Sequence, residues 1–312
     1  MNQSGDGRKV TAGRFAPSPT GHLHTGSLVT AVGSRLLAKS RGGRWLLRLD
    51  DLDAPRQITG VADDIMATLE SFSLFWDGEI SRQSLNTGEY EKFFEILLEK
   101  GTLYPCRCSR RDIALSASAP HPQDDSVPYP GTCRHGVSPG ETIRSWRIKV
   151  LDEDICFSDL RLGVVCRNLV TSGNDFVVRR GDGGFAYQLA VVVDDFITGV
   201  NQVARGDDLL HSTARQIHIQ RILGIPEPEY CHFPLVTGQD GKKLSKRDNL
   251  VSSELGNWRG RESELLLQVL SFLGQNPPQS LAGAGCAEIV EWGEANFDSA
   301  RIPQAGGELL ML

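Results

Sequence analysis

The opening fifty residues follow a pattern that few folds can accommodate. Residues 14–16 predict a short strand that runs into the turn 17–21, because proline cannot continue a β-ladder. Over residues 25–39, apolar side chains recur every three or four positions and predict a helix, which the glycine pair 42–43 ends. The run 45–49 predicts a second strand. Strand, turn, helix and strand in this order make a βαβ unit and predict the start of an α/β fold.

The middle of the chain interrupts this alternation. Residues 106–175 carry a loop rich in Ser, Pro and Asp and only short β-like runs, so we interpret them as an insertion. Beyond it, the apolar run 189–193 predicts a strand buried on both faces, and 207–223 predicts a helix. The predicted division begins with a flexible lead-in at 1–10 and a first catalytic half at 11–105. An inserted subdomain follows at 106–175, and a second catalytic half at 176–250. A short, mainly helical, stem-like C-terminal region occupies 251–312.

Composition excludes several classes of protein. The 312 residues have ordinary globular proportions, which excludes a disordered, collagenous or coiled-coil chain. A net charge of −6 argues against sequence-blind binding of nucleic acid, although one local basic face remains compatible with it. No apolar run approaches the roughly 20 residues that cross a bilayer, and residues 1–13 are too polar for a signal peptide. We therefore expect a cytoplasmic protein without membrane association.

Two short motifs suit the binding of a nucleoside triphosphate. HTGS at 24–27 lies at a predicted strand-to-helix junction, where the first amides of the helix face an anion and Gly26 allows close backbone approach. KLSKR at 243–247 gathers cations on a loop and could neutralise departing pyrophosphate. Either motif alone is compatible with an ordinary surface loop. Their co-occurrence around a split nucleotide-binding fold is the decisive observation.

This combination resembles the class I aminoacyl-tRNA synthetases, whose HIGH and KMSKS motifs correspond to HTGS and KLSKR. Four longer blocks in the same order resemble the glutamyl-specific branch: RFAPSPTGHLHTGSL, LLRLDDLDAPR, FAYQLAVVVDD and VARGDDLLHSTARQ. The resemblance covers about residues 11–250. It implies an α/β fold, with a Rossmann-like catalytic domain and an inserted zinc-binding, acceptor-type subdomain.

Within this branch the chain is most similar to a short paralog. The full-length enzymes carry a helical anticodon-binding region after the KMSKS loop, and the 62 residues at 251–312 are too few for one. The short paralogs activate L-glutamate with ATP and Mg²⁺ and transfer it to queuosine at the wobble position of tRNA(Asp). The resemblance thus implies a ligase that forms a carbon–oxygen ester through an aminoacyl-adenylate, and we expect a monomer.

The resemblance also assigns roles to individual residues. It implies a glutamate pocket made of Arg14, Phe15, Ala16, Pro17, Ser18, Asp50, Tyr187 and Arg205. It implies ATP contacts from His24, Gly26, Ser27, Lys243, Ser245 and Lys246, of which His24, Lys243 and Lys246 are the catalytic residues. The chain departs from the family twice. Asp50 stands where the family has the Glu that binds the substrate amino group, and Ser27 replaces the second His of HIGH.

A cysteine cluster in the insertion predicts a structural zinc site. Cys106 and Cys108 form a Cys-x-Cys pair, and Cys133 follows after 24 residues. By resemblance the fourth ligand is Tyr129, as in the short paralogs, or His135, as in some full-length relatives, and we favour Tyr129. The alternative is a set of free thiols. Packed thiols without partners are expected at Cys156, Cys166, Cys231 and Cys286.

Other interpretations remain open at this point. One is a compact glutamyl-tRNA synthetase that charges a tRNA 3′ end, another is a non-catalytic synthetase-like protein that binds a partner or senses an amino acid, and a third is an adenylate-forming small-molecule ligase. Structural roles, as helix caps or strand-end carboxylates, are expected for Asp194, Asp195, Asp207 and Asp208. A basic face for tRNA phosphates is expected from Arg107, Arg110, Arg111, Arg134 and the loop 243–247.

Overall fold

The strands of this computed structural model form two sheets. The structure describes residues 10–109, 111–113, 129–172, 174–237, 259–307 and 309. The strands are β1 (Ala12–Phe15), β2 (Arg44–Leu49), β3 (Ser81–Arg82), β4 (Leu103–Cys106), β5 (Ser145–Ile148), β6 (Asp154–Asp159), β7 (Gly163–Asn168), β8 (Phe176–Arg180), β9 (Gln202–Gly206) and β10 (Glu229–Phe233). Seven of them make one sheet in the order β3-β2-β1-β9-β10-β6-β7, and β4, β5 and β8 make a smaller antiparallel sheet.

Helices cover the larger sheet. They are α1 (Thr25–Lys39), α2 (Val61–Ser71), α3 (Thr87–Glu99), α4 (Tyr187–Ile197), α5 (Leu210–Leu223), α6 (Glu262–Phe272) and α7 (Cys286–Asn296). Short 3₁₀ helices lie at Ala54–Arg56, Gln83–Leu85, Asp207–Leu209, Gln279–Leu281 and Ser299–Arg301. Among the described residues, no helix combines the length and the hydropathy needed to cross a membrane.

The central sheet places the predicted βαβ unit beside the second half of the chain. β1 pairs in parallel with β2 on one side and with β9 on the other. β9 continues in parallel to β10, and β10 to β6. The hairpin β6–β7 lies within the predicted insertion 106–175, yet it continues this sheet. Side chains at the carboxyl ends of β1, β9 and β10 therefore meet at one edge, where α/β sheets usually bind ligands.

Two apolar cores flank the sheet. One contains α1, α2 and the C-terminal helices, with α6 and α7 packed against α1. The other contains α3, α4 and α5 together with β5 to β8. The helix predicted at 25–39 has these bounds as α1, and the helix predicted at 207–223 is α5 preceded by one 3₁₀ turn. The strand predictions at 14–16 and 45–49 are likewise confirmed by β1 and β2.

The strand predicted at 189–193 is wrong. These five residues are the buried centre of the helix α4, which packs between α3 and α5. A short, wholly apolar run has no periodicity, so it does not distinguish a buried strand from a buried helix. The correction moves Asp194 and Asp195 from an expected strand end to the interior of a helix.

The prediction of packed free thiols at Cys156 and Cys166 is also wrong. The two residues face each other across the hairpin β6–β7, both are exposed, and they form a disulfide. Their separation of 10 residues did not reveal this pairing, because the hairpin register was not predicted. Cys231 is a buried free thiol, as expected, and Cys286 is half-buried within reach of the Ser263 hydroxyl.

Helix α1 approaches the sheet closely at Gly33. A Cβ atom added there would lie 2.6 Å from Cζ of the buried Phe233, so we expect Gly33→Ala to lower the free energy of unfolding by about 1–3 kcal/mol. Gly88 in α3 is the matched control, since a Cβ there meets nothing within 4 Å. Gly88→Ala should stabilise the protein by up to about 1 kcal/mol. Urea unfolding followed by circular dichroism checks both, and equal stabilities of the two variants would contradict this packing.

Candidate active site

A cavity of about 210 Å³ opens at the carboxyl edge of the large sheet. Its walls come from the end of β1 and the turn after it, the start of α1, the start of α4, the end of β9 and the segment 234–236. Ten of the predicted site residues line it: Arg14, Phe15, Ala16, Pro17, Ser18, His24, Gly26, Ser27, Tyr187 and Arg205. Asp50 is not among the lining residues. The predicted residues Lys243, Ser245 and Lys246 lie outside the described part of the chain.

The first turn of α1 forms one wall of the cavity. His24 is the N-cap, and its Nδ1 accepts a hydrogen bond of 3.2 Å from the backbone N–H of Ser27. A neutral ring that accepts through Nδ1 carries its proton on Nε2. A Cβ at Gly26 would lie 3.2 Å from two atoms of the His24 ring, so glycine lets the ring pack over the helix start. The positive end of the helix dipole at this wall suits an anion.

Arg205, near the end of β9, is a buried cation that also lines the cavity. Its Nε donates to Nε2 of His232 at 3.3 Å, and its Nη2 donates to Oγ1 of Thr213 at 2.8 Å. Its Nη1 is buried and has no hydrogen-bond partner among the described residues, although the residue lines the cavity. A guanidinium nitrogen left unpaired in this way suits a carboxylate or phosphate oxygen of a ligand.

Arg14 belongs to a buried ion cluster behind the cavity. Its Nε donates to Oδ1 of Asp195 at 3.1 Å, and Nη1 of Arg48 donates to the same oxygen at 2.5 Å. Arg48 also donates from Nε to Oδ1 of Asp50 at 2.7 Å. Burial alone would raise the pKa of Asp195, but Arg14 and Arg48 outweigh it and lower that pKa. The cluster therefore holds the Arg14 guanidinium in place at the cavity wall.

A second carboxylate on α4 completes this cluster. Asp194 accepts hydrogen bonds of 2.8 Å from Gln83, Asn86 and the hydroxyl of Tyr90. Burial raises the pKa of Asp194, and Arg48 and these three donors oppose the shift. The aspartates of α4 thus have the structural role that we expected, but as interior helix residues.

Asp50 contacts the cluster instead of the cavity. Burial raises its pKa to about 6, and the neighbouring Arg48 offsets only part of that effect. Its Oδ1 accepts from Arg48, and the side chain is only 6% exposed. A role for Asp50 in binding the substrate amino group remains a prediction.

The three insertion cysteines converge as predicted. The sulfur atoms of Cys106, Cys108 and Cys133 all lie within 4.8 Å of one another. The hydroxyl of Tyr129 is 3.4 Å from Sγ of Cys106 and accepts from the backbone N–H of Cys133 at 2.8 Å. His135 is exposed and outside this group. The three thiols and the Tyr129 hydroxyl supply four donor atoms, the number that a structural zinc site uses, so this cluster could hold a metal ion.

The surroundings of Cys106 favour the ionised form of its thiol. Burial would raise the pKa of Cys106, but the Tyr129 hydroxyl and the Arg147 guanidinium lower it to about 7. Arg147 lies 3.8 Å from the centre of the Tyr129 ring and donates from Nε to Sγ of Cys106 at 3.4 Å. Burial and the hydrogen bond to Cys133 raise the pKa of Cys108 to about 11. A bound cation would reverse that shift, because metal ligation requires thiolates.

Sequence reasoning missed most of the residues that support the site. Asp195, which binds Arg14, was expected only in a structural role, and Arg48, which shares this carboxylate, was not singled out. Thr213 and His232 contact Arg205, and Asp159 contacts His232; these three were also missed. A usable signal was present, since polar residues at the carboxyl ends of parallel strands often serve a ligand site. His232 lies near the end of the parallel strand β10 and carries this signal.

Comparisons with known proteins agree with this geometry. Residues 9–292 match the family described as tRNA synthetases class I (E and Q), catalytic domain. The chain belongs to this family. The predicted resemblance and the predicted α/β class are thereby confirmed.

Relatives of this synthetase-family chain share most of its length. A protein of Geobacter sulfurreducens is 53% identical over 94% of both chains, and one of Aromatoleum aromaticum is 47% identical over 94% of this chain and 90% of its own. Both are named glutamyl-Q tRNA(Asp) synthetase.

Solved glutamyl enzymes have the same fold. A glutamate tRNA ligase of Elizabethkingia meningosepticum, crystallised in complex with its amino acid, aligns with a TM-score of 0.79 at 25% identity over 97% of this chain and 67% of its own. The glutamate-tRNA synthetase of Elizabethkingia anophelis aligns with a TM-score of 0.80 at 24% identity, over 96% of this chain and 68% of its own, and supports the fold alone.

The ion cluster yields a stability prediction. Arg48→Met would leave the buried carboxylates of Asp50 and Asp195 without their shared cation, so we expect a loss of about 3–5 kcal/mol in the free energy of unfolding. Arg41 pairs with Glu229 at the surface, and Arg41→Met should cost about 1 kcal/mol or less. Urea denaturation of both variants measures the difference. Similar losses for the two would show that the cluster does not hold this wall together.

Proposed function

We propose that this class I synthetase-family protein activates L-glutamate with ATP and transfers the glutamyl group to queuosine in tRNA(Asp). The observation that carries the proposal is the unpaired, buried Nη1 of Arg205 in a cavity that the start of α1 also lines. A cation and a helix N-terminus in one cavity suit a small acid and a phosphate chain, respectively. The close relatives named glutamyl-Q tRNA(Asp) synthetase support the choice of acid and acceptor.

The chemistry needs no protein nucleophile. The α-carboxylate of glutamate attacks the α-phosphorus of ATP in line, the bond to pyrophosphate breaks, and glutamyl-adenylate forms. We assign Arg14 and Arg205 to the substrate carboxylates, and His24 with the α1 amides to the nucleotide. Lys243 and Lys246, together with Mg²⁺ bound to ATP, would neutralise the leaving pyrophosphate.

The second step is an acyl transfer. A hydroxyl of the queuosine cyclopentenediol attacks the carbonyl carbon of the mixed anhydride, and the ester forms as AMP leaves with the bonding electrons. The hydroxyl proton is released in the same step. The protein contributes position rather than a covalent intermediate, so the acceptor must be held against the cavity mouth.

We assign the cysteine cluster to a structural Zn²⁺ ion. Cys106, Cys108, Cys133 and Tyr129 would hold it, and Arg147 would offset part of the negative charge that the ligands bring. Zinc ligation contributes folding free energy to a small loop-rich segment. None of these four residues lines the cavity, which fits a structural role rather than one in the reaction.

The tRNA face would lie on the insertion. Arg107 pairs with Glu141 and Arg134 pairs with Asp175, so both are partly neutralised. Arg111 is exposed, and we assign a phosphate contact to it. Arg110 lies outside the described residues. We further propose that the enzyme acts as a monomer in the cytoplasm, where its tRNA substrate is found.

The acceptor can be tested directly. Incubation with labelled glutamate, ATP and Mg²⁺ should label tRNA(Asp) that contains queuosine and leave queuosine-free tRNA(Asp) unlabelled, because the attacking hydroxyl belongs to the modified base. Blocking the 3′-terminal ribose should not reduce labelling, and mild alkali should release the ester. Equal labelling without queuosine, or loss of labelling when the 3′ end is blocked, would assign the protein to 3′-end charging instead. Absence of glutamate-dependent ATP–pyrophosphate exchange would refute the activation step.

The zinc assignment predicts a metal-dependent stability. Cys108→Ser should lower the zinc bound per chain, measured by plasma emission spectrometry, to a small fraction of the wild-type value, because one thiolate ligand of the set is lost. The half-buried Cys286 lies outside the cluster, so Cys286→Ser should bind zinc as the wild type does. Chelation should lower the melting temperature of the wild type and of Cys286→Ser. Full zinc content in Cys108→Ser would contradict the assignment.

A further inference from the structure

Arg205 is the first member of a row of three polar side chains on neighbouring strands. In the register of β9 and β10, Arg205 lies directly beside His232. Asp159 ends β6, the next strand of the sheet. The side chains of His232 and Asp159 are fully buried. The row therefore begins at the cavity and runs into the protein, away from solvent.

The hydrogen-bond polarity of this row is determined by the guanidinium. Nε of Arg205 is 3.3 Å from Nε2 of His232, and a guanidinium can only donate, so Nε2 must be the unprotonated nitrogen. Nδ1 then carries the hydrogen and donates it to Oδ2 of Asp159 at 2.7 Å. The carboxylate thus fixes the tautomer, and the tautomer presents an acceptor to Arg205. Burial lowers the pKa of His232 despite the opposing effect of Asp159, which keeps the ring neutral.

Asp159 is itself held in place. Its Oδ1 accepts from the backbone N–H groups of Arg161 and Leu162 at 3.0 and 2.9 Å. Arg161 anchors this turn, because its guanidinium donates to the carboxylate of Asp207 and to the carbonyl of Gln304, both at 2.6 Å. Each oxygen of the Asp159 carboxylate therefore has a fixed role, one toward the turn and one toward His232.

Only two of the three guanidinium nitrogens of Arg205 form hydrogen bonds within the described structure. Nε and Nη2 are fixed by His232 and by Thr213, while Nη1 has no hydrogen-bond partner in the described structure. Because the guanidinium is planar and rigid, fixing two of its nitrogens also fixes the position of the third, Nη1. If His232 no longer accepted from Nε, the guanidinium would be held by Thr213 alone and could rotate away from the cavity.

We propose that His232 and Asp159 are positioning residues that aim Nη1 of Arg205 at the side-chain carboxylate of the substrate. The proposal rests on the glutamate activation proposed above. The α-carboxylate is consumed in forming the adenylate, so a fixed cation is of most use to the carboxylate that stays free. A fixed cation also favours glutamate over glutamine, because the ionised carboxylate forms a charge-assisted hydrogen bond with the guanidinium and the neutral amide of glutamine does not carry that charge.

Two variants and one matched control test this role in glutamate-dependent ATP–pyrophosphate exchange. Asp159→Asn keeps the shape, but either orientation of its amide sets an NH₂ against a donor, namely the ring N–H of His232 or the turn amides. His232→Leu removes the acceptor between flanking aromatic rings of Phe157 and Tyr230. The control is His218→Leu, which also removes a buried histidine, one that contacts the Lys149 carbonyl and does not line the cavity.

For Asp159→Asn and His232→Leu we expect the KM for glutamate to rise about tenfold and the preference for glutamate over glutamine to fall by a similar factor. The KM for ATP should stay within about twofold, since the nucleotide wall is unchanged. His218→Leu should match the wild type in both the glutamate KM and the preference, even if it is less stable.

Different results would refute the proposed function and the positioning role. A wild-type protein without glutamate-dependent exchange would refute the proposed function itself. Wild-type exchange combined with an unchanged glutamate KM and preference in Asp159→Asn and His232→Leu would refute the positioning role alone. If a variant is too unstable for kinetics, glutamate binding to the remaining one by calorimetry gives the same decision, because tenfold weaker binding is expected there and unchanged binding would overturn the role.

Discussion

The site depends on arginine side chains that are buried and held in one orientation while they remain charged. Arg14 and Arg48 lie among the carboxylates of Asp50, Asp194 and Asp195, and removing such charges from water is tolerable only when each finds a partner of opposite sign. The helix α4 supplies two of these carboxylates from consecutive positions. Packing of α4 between α3 and α5 is thus inseparable from the placement of Arg14 at the cavity.

A similar constraint operates at Arg205, on the neighbouring strand β9, with different chemistry. Arg205 has no carboxylate partner in the described structure, and its polar neighbours are the neutral side chains of His232 and Thr213. A cation whose charge is not neutralised internally retains most of its attraction for a ligand, especially in a poorly solvated site. Arg14 and Arg205, to which the family resemblance gives the same role, therefore differ. The charge of Arg14 is largely compensated by carboxylates of the protein, whereas the charge of Arg205 remains available to a ligand.

Much of this architecture could be predicted from the sequence because it rests on local signals. The periodicity of α1 and the proline-rich turn after β1 are each contained within about fifteen residues, and they placed His24 and Gly26 correctly at a helix start. The run 189–193 was predicted wrongly because such a local signal is missing there: a wholly buried segment shows no alternation of apolar and polar residues. The disulfide of Cys156 depends on hairpin register, and the support for Arg205 depends on which strands are neighbours. Neither is visible until the sheet order is known.

The most direct test of the central claim is a crystal structure with a non-reactive sulfamoyl analogue of glutamyl-adenylate. We expect the side-chain carboxylate within hydrogen-bonding distance of Nη1 of Arg205, with His232 still accepting from Nε of Arg205. The sulfamoyl and ribose groups should lie beside His24 and the first turn of α1. An analogue bound with its carboxylate away from Arg205, or bound outside the cavity at the carboxyl ends of β1 and β9, would contradict the claim.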